Sequence, residues 1–459
     1  MMTLAAAAAV VAGRVPAAHE ARLFERVTSD SRSAGAGDLF VAINGEHFDG
    51  HDFVVAALEK GATGALIDAD RQSMFADAPC VTARDARIGL GQLASAWRAR
   101  FTLPLIAVAG SNGKTTVTQM IASILRAHSG DAAFHTEGNY NNDIGLPLTI
   151  LRLRGHHKVG VVELGMNHRG EIACLAAIAQ PTVALVNNAQ REHQEFMSSV
   201  REVAIENASL YDSLPRDGVA IVNADDEFAQ LFIDRAAGHA IRTFAMDRDA
   251  DVRVTIEGDA AFGSNLRLST WQGTIGVALA IAGRHNALNA AAATAAAVAA
   301  GVPLAAVGEG LQKFLPVSGR LVKSVLANGA VVLDDTYNAN PDSVRAAIDV
   351  LHRIGGRRVL VLGPMAEVGE NGPAFHCEVG AYARERGIDA LLTIGEAAEA
   401  TANAFGATAA RHQDIDALIA ATRAAATVGT TVLIKGSRSA RMERVVRALT
   451  GSEATEGAH

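Results

Sequence analysis

Residues 105–116 read Leu105-Ile106-Ala107-Val108-Ala109-Gly110-Ser111-Asn112-Gly113-Lys114-Thr115-Thr116. The first five are apolar without a break, the pattern of a strand buried on both faces. They run into a glycine turn and then into a helical segment ending near Ala127. A strand, a glycine turn and a helix opening on Gly-Lys-Thr form a phosphate cradle. Glycines let backbone N–H groups turn inward, and the helix N-terminus adds partial positive charge. Lys114 can then reach terminal phosphates while Thr115 holds Mg²⁺. The usual cradle has four residues between its glycines; here Val108 takes the first glycine's place, and two residues separate Gly110 from Gly113. A glycine turn after a strand can be purely structural. Gly-Lys-Thr-Thr in this setting predicts ATP binding through Gly110, Ser111, Asn112, Gly113, Lys114, Thr115 and Thr116.

Working outward, 459 residues hold about three domains. With 49% apolar and 20% charged residues, sizeable cores are available. A net charge of −8 argues against a nucleic-acid partner, which needs a basic face. Cys80, Cys174 and Cys377 match no metal or redox spacing and read as buried thiols of a reducing cytosol. The apolar opening, residues 4–13, follows no Lys or Arg and is too short to span a bilayer. It reads as an alanine-rich helix of the first domain. A soluble, cytoplasmic chain without membrane insertion is expected.

In residues 1–82, strand patterns at 39–43 and 65–67 flank a helix at 53–60. The loop Ser29-Asp30-Ser31-Arg32 could hold a base edge, a ribose or a phosphate, although such a run is more often a solvated turn. Polar turns at 44–45 and 48–53 lie at a strand's far end, where ligands of α/β units dock.

The segment 136–147 contains Thr136, Asn139, Asn141 and Asn142 among two glycines and a proline. It is either a turn-rich connection or a loop that hydrogen-bonds an anionic or sugar-bearing substrate. Strand 159–162 ends in Glu163, and strand 183–186 leads through Asn187-Asn188 to a loop with His193. A carboxylate and an imidazole at neighbouring strand ends suit Mg²⁺ or Mn²⁺. Residues 219–222 end in Asn223-Ala224-Asp225-Asp226, a polar strand end or a turn. From 245 to 280 short alternating strands turn at Gly258, Gly263 and Gly273, which predicts an antiparallel layer. Asn286 and Asn289 share a face of the alanine-rich helix ending near Ala300; position alone favours capping over reading an adenine edge.

Pro316, Ser318 and Gly319 mark a linker, with Arg320 beyond it. Strand patterns then end in Asp334-Asp335, Gly363, Gly395 and Lys435, giving a second doubly wound sheet whose order the sequence does not supply. Polar residues at 335–343 and 435–438 lie on its rim, so two α/β domains can close over ATP. A disordered tail is expected after Leu449.

Five stretches together resemble the Mur ligases of bacterial peptidoglycan synthesis. They are Gly110-Ser111-Asn112-Gly113-Lys114-Thr115-Thr116, Glu163-Leu164-Gly165-Met166-Asn167, the loop 138–147, Gly283-Arg284-His285-Asn286, and Asp334-Asp335-Thr336-Tyr337-Asn338-Ala339-Asn340-Pro341. The resemblance spans nearly the whole chain. It implies an α/β protein of three domains: 1–82 binding the UDP part of a substrate, 83–315 a P-loop ATPase with added antiparallel strands, and 316–459 a Rossmann-like ligase domain. Ser29, Asp30, Ser31 and Arg32 would lie near uridine, and Thr136, Asn139, Asn141 and Asn142 near the pyrophosphate and muramoyl groups. Asn286 and Asn289 would approach adenine, Arg320 the ribose and phosphates, and Asp335 the ribose. Asn338, Asn340, Lys435 and Ser437 would complete the closed site near the phosphates or an incoming dipeptide. Thr115 would hold one Mg²⁺, and Glu163 with His193 a second.

The pattern is nearest that of members that join D-alanyl-D-alanine to UDP-N-acetylmuramoyl-tripeptide through an acyl phosphate, which implies a monomeric, ATP-dependent, cytoplasmic enzyme of cell-wall synthesis, cell shape and division. Lys114, Glu163 and His193 would carry its chemistry. Alternatives are the ligase adding the third peptide residue, folylpolyglutamate synthase, or, from another class, a P-loop ATPase switch. One departure stands out. Family members carry a carbamylated lysine, a metal ligand, where this chain has Asn207, fourteen residues after His193. The neighbouring Glu206, or a water on Asn207, is expected to substitute.

Overall fold

The computed structural model describes residues 1–451 apart from Glu46, His193 and Glu396, and apart from the side chains of Asp259 and Ala260. Three sheets, each covered by helices, organise the chain. The first is parallel, with strands Arg26–Thr28, Asp38–Val41, Gly64–Asp68 and Cys80–Ala83 side by side in chain order. The apolar opening is a helix, Leu4–Val10, packed beneath it.

The central sheet has nine strands. Leu105–Ala109, with no residue exposed, lies between Val159–Glu163 and Val183–Val186. Ala133–His135 continues the sheet on one side, Val219–Asn223 and Ala240–Ala245 on the other, all parallel. The strand order therefore reverses at Leu105–Ala109, and the crevice outside its carboxyl end is where open α/β sheets bind ligands. Val252–Ala260, Gly263–Thr270 and Gly273–Leu279 add the expected antiparallel layer. Gly258 is not a turn there. It sits at a register shift inside its strand, a bulge that an isolated strand glycine commonly marks.

Helix Lys114–Ser129 is held from behind by two others. Helix Arg284–Ala299 is buried along nearly its whole length, its alanines allowing close packing. Helix Leu304–Lys313 crosses so closely that a Cβ on Gly310 would lie 2.3 Å from Ile124 Cα, and Ser123 Oγ donates to Gly310 O at 2.7 Å.

The third sheet runs Val322–Val325, Val331–Asp335, Thr430–Lys435, Arg357–Leu362, Ala390–Ile394, Ala409–His412, with only the first strand antiparallel. The last strand in the chain is inserted second from its parallel edge, which puts Lys435 beside Asp335. The final helix, Glu443–Thr450, is closed by left-handed Gly451; residues 452–459 lie outside the described set. No helix among the described residues is long and apolar enough to cross a membrane. Of the cysteines only Cys80 is buried, its thiol pushed up to about 12 by burial; Cys174 and Cys377 are exposed, contrary to expectation, because each stands on the outward side of a surface helix.

Candidate active site

The cradle turn needs both of its glycines. Gly110 (φ +130°) and Gly113 (φ +84°) hold backbone conformations that side chains avoid. A Cβ on Gly110 would lie 3.0 Å from the backbone nitrogens of Asn187 and Asn188, and one on Gly113 would lie 2.6 Å from Asn289 Oδ1. Helix Lys114–Ser129 starts at Gly113 without a side-chain cap, so its first N–H groups remain available to an anion.

Residues 187–190 brace the turn from the next strand end. Asn112 N donates to Asn188 Oδ1 (2.8 Å), Gln190 N donates to Ser111 Oγ (2.9 Å), and the amides of Asn187 and Asn188 both donate to Asn112 O (2.8 and 2.9 Å). Asn187 also donates to Asn289 Oδ1 (2.9 Å), and Asn289 in turn to Asn286 Oδ1 (3.2 Å). The favoured capping reading of these asparagines is therefore corrected. The helix cap is Gly283, with no side-chain bond, while Asn286 reaches back to Ala282 O (2.8 Å) and Asn289 packs on the cradle.

Lys114 folds over its own loop. Its Nζ donates to Gly110 O (2.5 Å) and Ser111 O (3.1 Å) and faces Glu192 Oε2 at 3.3 Å. Glu163, 2% exposed, accepts at Oε1 from Thr115 Oγ1 (3.2 Å) and Asn141 Nδ2 (2.7 Å). Its backbone N–H donates to Thr136 Oγ1 (3.1 Å), and Asn139 Oδ1 accepts from the Asn141 amide (3.1 Å). Asn142 has a local task instead, its Oδ1 accepting from Ile144 N and Gly145 N at the start of helix Gly145–Ile150.

The C-terminal sheet supplies the opposite wall. Arg320 stands between Gly319 and Leu321, both at positive φ, so the linker backbone aims it. Its guanidinium lies 4.0 Å over the Tyr337 ring, Nη2 approaches Thr115 Oγ1 at 3.4 Å, and its buried Nε has no partner within the protein. Lys435 Nζ donates to Asp335 Oδ2 (2.6 Å) and Asn338 O (2.9 Å). Asn112 and Asn340 exchange amide bonds across the two sheets (3.3 and 2.8 Å), and Asn340 also caps helix Pro341–His352. Ser437, buried, meets Ser439 Oγ at 3.1 Å. Burial, then the Lys435 charge, pushes the His285 imidazole down to about 4, and burial raises the Asp226 and Asp334 carboxyls. Between the walls lies a cavity of about 550 Å³, lined by Gly113, Thr116, Asn289, Arg320, Asp335 and Lys435 among others. That volume suits a nucleotide.

Comparison with known proteins matches this arrangement. Three family models cover the chain in order: Mur ligase family, catalytic domain, over residues 24–97; Mur ligase middle domain over 108–297; and Mur ligase, glutamate ligase domain, over 319–438. The UDP-N-acetylmuramoyl-tripeptide–D-alanyl-D-alanine ligase of Escherichia coli (strain K12) is 39% identical over 430 residues, 93% of either chain. This chain belongs to the Mur ligase family. Among solved structures, MurF from Acinetobacter baumannii superposes with a TM-score of 0.91 at 33% identity, covering 98% of this ligase and 99% of that chain. MurF ligase from Thermotoga maritima in complex with ADP gives 0.83 at 26% identity, covering 93% and 97%.

Some residues singled out in the ligase's sequence lie apart from the cavity. Ser29, Asp30, Ser31 and Arg32 form a turn beside the first sheet, where Asp30 Oδ1 accepts from Arg32 N and Nε, both at 2.9 Å. His193 lies outside the described residues. Glu206 is corrected: its oxygens accept from Gly170 N and Ile172 N, both at 2.9 Å, so it caps helix Glu171–Ala179 and is committed away from the cradle. Asn207 donates to Val203 O (3.1 Å), leaving its buried Oδ1 without a partner within the protein. Gln190, Arg191 and Glu192 were missed. Their one sequence signal is their place just past a buried strand's carboxyl end.

Proposed function

We propose that this ATP-dependent ligase joins D-alanyl-D-alanine to UDP-N-acetylmuramoyl-tripeptide, a cytoplasmic step of peptidoglycan precursor synthesis carried out by a monomer. The observation that carries this reading is the 39% identity, over 93% of both chains, to a ligase named for that reaction. Residues 1–82 hold the UDP end through the turn at 29–32, residues 83–315 hold ATP, and residues 316–459 close over both.

The terminal carboxylate of the tripeptide attacks the γ-phosphorus of ATP, and the bond to ADP breaks. The amine of D-alanyl-D-alanine then attacks the acyl carbon, and phosphate leaves with the electrons of the C–O bond as the amine loses a proton. Bringing carboxylate and phosphate to about 4 Å costs roughly 4 kcal/mol at an effective dielectric of 20. Lys114, Arg320 and the open N–H groups of helix Lys114–Ser129 offset that repulsion. Asn286 and Asn289 face adenine, Asp335 the ribose, and Thr136, Asn139, Asn141 and Asn142 the muramoyl side. Asn338, Asn340, Lys435 and Ser437 border the dipeptide.

Among the described residues no three His, Cys, Asp or Glu side chains gather to hold a metal, but Thr115 Oγ1 and Glu163 Oε1 lie 3.2 Å apart beside the cradle. Oxygen donors of this kind fit Mg²⁺. Thr115 would hold one ion, and Glu163 with His193 another; when bound they would neutralise phosphoryl oxygens.

The test is phosphate release by purified protein, with each substrate omitted in turn. Release only when ATP, UDP-N-acetylmuramoyl-tripeptide and D-alanyl-D-alanine are all present, with a UDP-linked pentapeptide as product, supports the reading. Turnover with ATP alone, or with a folate or a third-residue amino acid instead, would replace it.

A further inference from the structure

Arg191 follows the residue that braces the cradle and precedes the residue that faces Lys114, yet its own side chain joins neither. Its backbone N–H donates to Asp342 Oδ2 (3.0 Å). Its guanidinium spans two carboxylates, Nη2 donating to Asp342 Oδ1 (2.6 Å) and Nη1 to Glu378 Oε2 (2.7 Å). The Phe375 ring lies 5.2 Å from it, and Arg345 holds Glu378 from another side at 2.8 Å. Asp342 belongs to helix Pro341–His352, whose cap Asn340 meets Asn112 of the cradle; Phe375 and Glu378 belong to helix Gly372–Glu385. One side chain from the central sheet thus grips two helices of the C-terminal sheet. It is 23% exposed, too enclosed to be a freely hydrated surface pair. The pair also perturbs itself: Glu378, then Asp342, raises the Arg191 guanidinium, and Arg191 holds Glu378 below the usual carboxylate range.

We propose that Arg191 is a positioning residue that makes docking of the C-terminal sheet and placement of Lys114 one event. Resting on the ligase reading above, this deepens it. Gln190, Arg191 and Glu192 are consecutive, about 3.8 Å apart at their Cα atoms, so none can shift far alone. Gln190 holds Ser111 and Asn112, Arg191 holds the docked helices, and Glu192 holds Lys114. Undocking removes both carboxylates from Arg191 and frees the segment that sets Glu192 against Lys114.

Arg191→Ala, Arg191→Lys and Asp342→Asn test this. The readouts are kcat and KM for ATP, thermal melting, and the radius of gyration by X-ray scattering with a non-hydrolysable ATP analogue. Arg191→Ala is expected to lower kcat about tenfold, within the usual range of coupling between sites, and to enlarge the nucleotide-bound particle. Arg191→Lys should recover part of both, and adding Asp342→Asn to Arg191→Ala should cost little more. Wild-type kcat and size in Arg191→Ala, or a loss explained wholly by a smaller folded fraction, would overturn the proposal. Should Arg191→Ala fail to fold, Asp342→Asn carries the same test. Scattering needs no acceptor substrate, so a wrong acceptor assignment would leave that result standing.

Discussion

The cradle and the turn at residues 29–32 both follow parallel strands, and they are built in opposite ways. Neighbouring elements hold the cradle: Asn187, Asn188 and Gln190 bond to Ser111 and Asn112, leaving the first N–H groups of the helix to a ligand. The turn spends its polar groups on itself. Asp30 takes the Arg32 backbone and guanidinium, Ser33 Oγ donates to Asp30 O, and the Arg32 side chain is 87% exposed. A braced site loses little freedom when a ligand arrives, whereas a self-paired, solvated turn must exchange bonds it already has. Strong dependence on single residues is therefore expected at the first and weak dependence at the second.

The largest effect should come from Lys114→Met, which removes the cation of the cradle and is expected to lower kcat roughly 100- to 1,000-fold in a phosphate-release assay. Glu163→Gln should follow, with a roughly 10- to 100-fold rise in the Mg²⁺ needed for half-maximal rate, read from a metal titration. Gly113→Ala places a Cβ at 2.6 Å from Asn289 Oδ1 at a φ of +84°. It should cost about 1–3 kcal/mol of stability, and the rise in melting temperature on adding ADP should shrink. Arg32→Ala is expected to raise KM for the UDP-linked substrate by no more than about fivefold, the scale of an exposed ion pair, with kcat and melting unchanged. An effect of Arg32→Ala as large as that of Lys114→Met would abolish the contrast.

A small pH effect belongs to the cavity wall alone. His285 sits near 4 when folded, against an ordinary 6.5, so the unfolded chain binds more protons between those values. Its contribution to stability is full above about pH 6.5 and is lost as pH falls toward the folded value. Melting temperatures at about pH 7.5 and 5 should therefore differ less in His285→Gln than in the wild type. The turn at 29–32 has no histidine and should add nothing to that slope.

How much could be read in advance follows from how local each feature is. The unbroken apolar run 105–109 and the glycines after it require strand, turn and helix within one short segment, and these formed as expected. Glu163 at a strand's carboxyl end was legible for the same reason. Glu206 was not: its partners Gly170 and Ile172 lie on another helix, and only packing shows that its oxygens cap that helix. Asn286 and Asn289 looked like caps because spacing along a helix says nothing of what lies beside it. Cys174 and Cys377 were expected inside because apolar thiols commonly are, whereas exposure depends on which face a neighbour covers.

The sequence by itself determined the three α/β units, the phosphate cradle and the polar strand ends, because apolar periodicity and glycine conformations act over a few residues. Only the tertiary structure decided that Arg191 meets Asp342 and that Asn112 meets Asn340, pairs 151 and 228 residues apart. It alone also decided that Lys435 lies beside Asp335. Those choices depend on strand order and on how two sheets dock, which are settled by burying surface and satisfying charge across the whole molecule.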